Sequence, residues 1–458
     1  MRRPPKTVES DAAGAYNVCM DIIIAFGVFI AAVVAALVSG ITVIAALAVG
    51  LAAFVVVALR RGFGAGEVAK MVIGGSKEAL IVIKVMMIVG ILTASWRASG
   101  TITVFIEYGV RAISPHLFLI VTFLLTCLLS YALGTCFGVA GTVGVIFMAL
   151  ARSGGVDPLV TAGVIMSGLL FGDRGSPVSS CAITVAAVTG TELMDNIRKM
   201  MQTAVLPLAI TFAVCAALSW QNPIGMVDTD LLSAMHEEHA VSLWAFLPAV
   251  LILLLPMLKV DVVKSMLASI AAAGAVAYFV QGFSIGELLR FACLGYESRV
   301  SEMSRILDGG GMISMVSIVV ILVIACGISG IFEEADLLSG IHEKLEVLTD
   351  RFGRLPVMTV LSVFLSAVFC NQIIPIMMSR DLLSGIYEKN GASKTEFAID
   401  MENSAAILVT MVPWCLMCSV PLGFMAVGYG AMKYAVYIYA VPICYLLTKK
   451  RFAFNTGF

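Results

Sequence analysis

Apolar runs long enough to cross a lipid bilayer recur from one end of the sequence to the other. The longest extends from Leu117 to Leu150, well beyond the roughly 20 apolar residues that one helical span needs. Of the 458 residues, 60% are hydrophobic and 13% are charged, whereas about 25% are charged in an average soluble domain. In lipid the backbone must satisfy its own polar groups, which a helix does within a single segment. The sequence therefore predicts an all-α polytopic membrane protein.

One polar segment, Phe171–Ser180, lies between two apolar runs, Thr161–Leu170 and Cys181–Val188. Its Asp, Arg, Gly, Pro and Ser residues are poor choices for the middle of a membrane helix. Backbone that is broken at membrane depth persists only inside protein or against water, and an ionisable residue there indicates a functional site. We therefore predict a broken helix at this segment. The alternative is a surface loop between two short helices.

The pattern of the first half of the chain occurs again in the second half. Gly62-Phe-Gly-Ala-Gly-Glu67 resembles Gly282-Phe-Ser-Ile-Gly-Glu287, which lies 220 positions later. Each half also contains one long interrupted apolar run. We predict two inverted-topology repeats with about ten spans, two re-entrant hairpins and two broken helices, which is an architecture of secondary transporters. The predicted boundaries are a tail at 1–20, a first repeat at 21–220, an acidic linker at 221–240, a second repeat at 241–448 and a tail at 449–458.

Basic residues near the predicted span ends determine the expected orientation, because Lys and Arg accumulate on the cytoplasmic side of a membrane. Arg2, Arg3 and Lys6 place the amino terminus in the cytoplasm, and Lys449-Lys-Arg451 place the carboxyl terminus there as well. The acidic linker then lies outside, and the two repeats are inverted. The first apolar segment is expected to be an uncleaved helix, with a signal peptide as the alternative.

Glycine and proline residues mark the expected breaks in the apolar segments. They lie at the tips of the two predicted hairpins and within the two predicted broken helices, where the backbone must leave regular helical geometry. The helix-breaking residues are Gly134, Gly172, Gly175, Pro177, Pro375 and Pro413.

Oxygen-bearing side chains cluster at the same breaks. Carboxylate, hydroxyl and amide oxygens suit a hard cation such as sodium, and a buried carboxylate can take up a proton instead. We expect Asp173 and Glu402 to carry the charge. The alternative pairs Asp173 with Arg174 or makes it a helix cap, and puts Glu402 at the membrane interface. The candidate ion-binding residues are Thr135, Thr142, Asp173, Ser176, Ser179 and Ser180 in the first repeat, and Asn371, Gln372, Glu402 and Asn403 in the second.

Other classes of function find little support. The 11 cysteines are scattered, mostly in apolar runs, where a free thiol packs as a small hydrophobic group. His236 and His239 are three positions apart, which is not the four-residue spacing of a helical zinc site. The sequence has no basic stripe and no nucleophile–base pair. We expect no metal site, no cofactor, no nucleic-acid partner and no enzyme activity.

Several motifs occur in a fixed order over most of the chain. They are Trp96-Arg-Ala-Ser-Gly-Thr101, Gly134-Thr-Cys136, Gly141-Thr-Val-Gly144, Gly172-Asp-Arg-Gly-Ser-Pro177, and Glu402-Asn403 followed by Pro413-Trp414. Together they resemble the NhaC-type sodium/proton antiporter family of the ion transporter superfamily. The resemblance implies a multi-pass protein in the lipid bilayer of the bacterial cytoplasmic membrane. It also implies exchange of sodium, or another monovalent cation, for protons by alternating access, and it leaves a homodimer open.

The chain departs from the pattern of that family at the expected ion site. The family usually has Asp where this chain has Ser180, Asn where it has Ile183 and Asp where it has Asn403. Two alternatives therefore stay open. One is exchange of a small organic acid or amino acid, coupled to protons or sodium, on the same scaffold. The other is a structural or sensory membrane protein that transports nothing.

Overall fold

A computed structural model of the protein describes residues 12–39, 43–112, 114–177, 179–225, 235–258, 260–300, 304–335, 337 and 342–452. Within these residues the chain is almost entirely helical and forms no β-strand, which confirms the predicted all-α class. Arg2, Arg3 and Lys6, on which the orientation of the amino terminus depends, lie outside the described residues, as do residues 226–234 of the acidic linker.

The helices have the following bounds. In chain order, those of nine residues or more are α1 Ala12–Ser39, α2 Val43–Arg60, α3 Ala65–Ala98, α4 Thr101–Ala112, α5 Phe118–Leu133, α6 Val145–Ser153, α7 Pro158–Gly175, α8 Ser180–Thr189, α9 Leu193–Gln221, α10 Leu247–Met257, α11 Val262–Phe279, α12 Ile285–Leu294, α13 Val316–Glu334, α14 His342–Phe352, α15 Arg354–Phe369, α16 Ile373–Lys389, α17 Lys394–Glu402, α18 Leu416–Phe424 and α19 Val436–Thr448.

The chain divides into two compact units. The first unit, Met1–Leu80 with Val320–Ser339, contains an aromatic cluster. In it Phe54 of α2 packs against Phe26 of α1 and Phe332 of α13, with ring centroids 5.1 and 4.8 Å away. The second unit comprises Ile81–Val319 and Gly340–Phe458, and it holds all the candidate ion-binding residues.

Several described helices are long and apolar enough to cross a membrane. There are five, or up to seven when each of two bent pairs counts as one span. Shorter apolar helices of 10–17 residues add to them. These helices confirm a multi-pass membrane protein, while the number of about ten spans stays a prediction. The five are Val43–Arg60, Pro115–Leu133, Cys136–Ser153, Leu193–Gln221 and Met312–Glu334.

The glycine-rich motif that occurs in both halves has the same structural role each time, because it begins a helix. The carboxylate of Glu67 accepts a hydrogen bond of 2.9 Å from the backbone N–H of Gly64. The carboxylate of Glu287 accepts one of 2.7 Å from the backbone N–H of Ser284, whose hydroxyl completes a capping box. In both cases the acid that ends the motif accepts from a backbone donor three residues earlier, which the helix leaves free.

The helices α5 and α15, each of which precedes a predicted hairpin tip, also end with the same backbone geometry. α5 ends at Gly134, a left-handed residue with φ 62° whose N–H donates to the carbonyl of Ser130. α15 ends in the same way at Cys370, with φ 54° and the carbonyl of Ser366 as acceptor. Such correspondence is what a twofold internal repeat predicts. The inverted topology and the repeat boundaries stay predictions.

The breaks lie close to the predicted residues but not always at them. Gly172 lies inside α7, which continues to Gly175. Its role is close packing, because a Cβ at this position would lie 2.0 Å from the backbone of α5. Pro375 lies in the first turn of α16, where proline is tolerated because its missing N–H has no helical partner there. Pro177 and Pro413 lie between helices, as expected.

Candidate functional site

The end of α7 places two opposite charges inside the protein. Asp173 and Arg174 are only 4% and 2% exposed, and no ion pair joins them within the described part of the chain. Instead Asp173 Oδ2 accepts a hydrogen bond of 2.9 Å from Gln372 Nε2. The guanidinium of Arg174 donates to Asn403 Oδ1 and, over 3.0 Å, to the hydroxyl of Tyr437. The simple Asp173–Arg174 pair that the sequence left open is therefore not formed.

Gln372 joins residues from both halves of the chain. It follows the end of α15 and precedes α16, so its backbone lies at a break. Besides its bond to Asp173, its Nε2 donates to the carbonyl of Ala406 over 2.8 Å. One amide group thus holds the carboxylate of α7 beside the short helical turn Ala405–Leu408.

Glu402 is the last residue of α17, and its side chain is fully buried at 0% exposure. Neither carboxylate oxygen has a hydrogen-bond partner among the described residues. The carboxylate lies within electrostatic reach of Arg174, which attracts it, and of Asp173, which repels it. A buried charge without partners is strongly unfavourable. The ionised form of Glu402 therefore depends on positive charge close to it.

Asn403 fixes the guanidinium next to this carboxylate. Its Oδ1 accepts from Arg174 and, at 3.4 Å, from the hydroxyl of Thr203. Its Nδ2 donates over 2.8 Å to the carbonyl of Ile399. An amide accepts the bond from Arg174 without neutralising it. Asn403 therefore orients the guanidinium of Arg174 and leaves its charge in place.

The predicted serine ligands are engaged elsewhere. Ser176 donates to the carbonyl of Tyr131 over 2.6 Å, and Ser179 donates to the carbonyl of Asp173. Both hydroxyls therefore stabilise the break itself. Ser180 is exposed at the start of α8 and lies outside the buried group.

The predicted threonine and asparagine ligands also have local roles. Thr135 accepts a long bond of 3.5 Å from the N–H of Gly138 and caps the turn Cys136–Val139. Thr142 donates to the carbonyl of Gly138 over 2.7 Å. Asn371 accepts a bond of 2.9 Å from the N–H of Ile373, the first residue of α16. Of the ten candidate residues, the structure brings together Asp173, Gln372, Glu402 and Asn403, which with Arg174 form what we call the charge cluster.

Sequence reasoning missed three members or neighbours of the charge cluster. Arg174 was treated only as a partner for Asp173, although an ionisable residue at membrane depth is itself a signal. Tyr437 and Thr203 are buried, at 0% and 5% exposure, and lie in apolar helices. Nothing in their local sequence distinguishes them from packing residues.

The sequence matches the profile of one protein family over almost its whole length. The profile is described as the Na+/H+ antiporter family, and it matches residues 13–190 and 168–448. The chain is 25% identical over 412 residues to the malate-2H(+)/Na(+)-lactate antiporter of Bacillus subtilis, which covers 86% of each protein. It is 26% identical over 404 residues to the Na(+)/H(+) antiporter NhaC of the same organism, covering 85% of this chain and 88% of that one.

A third relative is named for two amino acids. The arginine/ornithine antiporter ArcD of Halobacterium salinarum is 25% identical over 343 residues, which cover 72% of this chain and 70% of the relative. The named relatives thus share an antiport mechanism but differ in the solutes that they exchange.

Proposed function

This chain belongs to the Na+/H+ antiporter family, and we propose that it exchanges sodium for protons at the charge cluster. It is a transporter rather than an enzyme. The observation that carries the proposal is Glu402, a fully buried carboxylate whose two oxygens have no partner among the described residues. Such a group binds a cation or a proton, and the two compete for it.

The charges of the charge cluster support a monovalent ligand. Asp173 and Glu402 contribute two negative charges when ionised, and Arg174 contributes one positive charge. The remaining single negative charge is balanced by one sodium ion or by one proton. Because the residues are buried, neither state leaves a net charge in a region of low dielectric constant. The loss of an acid at Asn403 is part of this balance.

The exchange would follow from competition combined with alternating access. Glu402 releases its proton to one side of the membrane when sodium arrives, and it takes up a proton again when sodium leaves on the other side. Gln372 holds Asp173 in place as the second carboxylate, and Asn403 holds Arg174. The breaks after α7 and α17 place these groups at helix ends, where a small movement changes which side they face.

Everted membrane vesicles from cells without other antiporters test the proposal. Sodium should dissipate an established pH gradient, and Asp173→Asn should abolish the response. Asp157→Asn is the matched control, since Asp157 is exposed at the other end of α7 and caps Leu159 over 2.8 Å, a role that asparagine also fills. No response of the unmodified protein to sodium, lithium or potassium at any pH would overturn the proposal.

Exchange of a small organic solute is the second candidate. Two relatives are named for malate and lactate or for arginine and ornithine. In addition, Nε of Arg174 is buried without a partner in the described residues, and guanidinium N–H groups bind carboxylates well. Uptake of labelled malate, lactate, arginine or ornithine, without any response to sodium alone, would favour this candidate. Silence in both assays would favour a role without transport.

We also propose the orientation that the basic residues predict, with both termini in the cytoplasm, residues 221–240 outside and the membrane being the bacterial cytoplasmic one. The equivalent helix ends at Gly134 and Cys370 support two repeats. An epitope tag inserted in 221–240 should be reachable from outside intact cells, and reachability from the cytoplasm alone would overturn the inverted arrangement. Cross-linking in the membrane would test a homodimer.

A further inference from the structure

A cavity of about 560 Å³ lies in the second unit, away from the charge cluster. It is lined by the start of α15, by Glu396 of α17 and by the end of α19 with the residues that follow it. The lining residues that matter for its chemistry are Arg354, Glu396, Leu446, Lys449, Lys450 and Phe452. Cations and large apolar side chains therefore share one concave surface.

The charges around the cavity leave an excess of positive charge. Glu396 accepts from Arg354 over 2.9 Å and from Lys449 over 2.8 Å. Lys449 also bonds the buried Asp400 over 2.5 Å. Lys450 is exposed and forms no ion pair within the part of the chain that the structure describes. Three cations thus face two carboxylates, and the surplus charge is on Lys450.

The position of the cavity relative to the apolar helices indicates the membrane–water boundary. Arg354 is the first residue of the apolar helix α15, and Lys449 and Lys450 directly follow the apolar helix α19. Basic residues at the ends of apolar helices reach the level of the lipid headgroups. Both helix ends line the same cavity, so its open side lies at that level.

The apolar wall of the cavity continues onto the outer face of α19. Leu446 lines the cavity and is 49% exposed, and its neighbours Ile443 and Leu447 are 57% and 76% exposed. In a helix that crosses lipid, such side chains face acyl chains. A ligand in the cavity therefore meets positive charge at one end and hydrocarbon at the other.

We propose that this cavity binds the phosphate group of an anionic phospholipid. Lys450 and Arg354 would contact the phosphate oxygens, and Glu396 keeps Arg354 and Lys449 in place for that contact. The acyl chains would lie along Ile443 and Leu446. Basic pockets between membrane helices suit anionic headgroups because the cations and the acyl surface act on the same molecule. A free phosphate would satisfy the cations but not the apolar wall.

Lipid retention by the purified full-length chain tests the proposal. Detergent-solubilised protein is mixed with phosphatidylglycerol or phosphatidylcholine, and the bound lipid is quantified by mass spectrometry. Lys450→Gln should lower phosphatidylglycerol retention about fivefold, the effect of one basic residue at an anionic surface. Arg451→Gln is the matched control, because it removes the same charge from the next residue, which does not line the cavity. Lys450→Arg should restore retention.

The outcomes separate the two sources of phosphate. Two results together support the phospholipid. Phosphatidylglycerol retention falls in Lys450→Gln but not in Arg451→Gln, and millimolar inorganic phosphate does not displace the lipid from the unmodified protein. Full displacement of the lipid by inorganic phosphate would identify free phosphate as the ligand and overturn the lipid assignment. Equal retention in both variants, or equal retention of phosphatidylglycerol and phosphatidylcholine, would overturn the site altogether.

Discussion

Two carboxylates two positions apart on α17 have opposite surroundings. Asp400 accepts hydrogen bonds from Tyr387 over 2.7 Å and from Tyr445 over 2.8 Å, and it pairs with Lys449 over 2.5 Å. Glu402 accepts none within the described residues. Both side chains are 0% exposed. Burial therefore does not distinguish the two carboxylates, but their partners do.

The difference separates an acid that is held by several partners from the acid that we propose binds the ion. Residues i and i+2 of a helix lie about 200° apart around its axis, so the two side chains leave α17 on opposite sides. Asp400 anchors α17 to α16 and to the end of α19. Glu402 faces the charge of Arg174 in α7. One helix thus carries a carboxylate that is bonded to neighbouring helices and a second carboxylate that has no hydrogen-bond partner among the described residues.

The largest expected effect separates the two acids by transport. Glu402→Gln should reduce sodium-dependent proton exchange to the background of empty vesicles, because an amide neither releases a proton nor binds sodium as an anion. Asp400→Asn, compared at equal amounts of folded protein, should retain exchange. Dye-reported pH gradients in everted vesicles measure both. If Glu402→Gln exchanged sodium for protons as fast as the unmodified protein, Glu402 and Asp400 would not differ in function and the prediction would be wrong.

The loss of stability should be larger in Asp400→Asn than in Glu402→Gln, the reverse of the order expected for the loss of transport. Asp400→Asn leaves Lys449 with Glu396 as its remaining partner and should cost about 3 kcal/mol, at the lower end of the cost of breaking a buried pair. Glu402→Gln should cost nothing measurable, since no hydrogen bond among the described residues is lost. Thermal unfolding in detergent measures both. If Lys449→Gln is added to Asp400→Asn and the losses simply add, the two residues are not coupled.

A third carboxylate extends the comparison outside the membrane spans. Burial alone would raise the pKa of Glu238, but hydrogen bonds from Tyr296 and from the backbone of Arg299 and Val300 lower it. Its neighbour His239 contacts Tyr296. Burial is the main cause that lowers the pKa of His239 to about 4, with the charges of Glu238 and Arg299 acting in opposite directions.

The consequence is a loss of stability in acid. Between about pH 6.5 and pH 4 the unfolded chain binds a proton at His239 that the folded chain does not. Folding therefore loses about 2 kcal/mol as the pH falls from 7 to 5. His239→Gln, which has no proton to gain, should flatten that part of the profile. Thermal unfolding at a series of pH values measures it, and an identical slope in both proteins would contradict the assignment.

The smallest expected effect is on sodium dependence, and it tests whether Gln372 holds Asp173 in place. Gln372→Ala removes the amide that contacts Asp173 and should raise the half-saturating sodium concentration about tenfold, the equivalent of one hydrogen bond to a charged group. The adjacent Asn371→Ala removes only the bond from the N–H of Ile373 and should cost about 1 kcal/mol of stability with sodium dependence unchanged. A sodium effect in Asn371→Ala alone would restore that residue as a ligand.

Properties that depend on residues close together in the sequence can be predicted from the sequence. The length of the apolar runs requires membrane helices, and Gly134 and the segment after Gly175 end helices where their chemistry indicates. Asp173 and Glu402 were identified because an acid between apolar runs is costly unless it has a function. That the nearby hydroxyls bind an ion stays a prediction, since Ser176, Ser179 and Thr142 each donate to a backbone carbonyl in this structure.

Only the tertiary structure decided which polar groups meet. Gln372 is 199 positions from Asp173, and Arg174 is 229 positions from Asn403 and 263 from Tyr437. The sequence by itself determined a helical membrane protein with breaks and buried acids, because helix formation and burial depend on local composition. Partners depend on how distant helices pack, and that packing gives Asp400 three donors while it leaves Glu402 without a hydrogen-bond partner among the described residues.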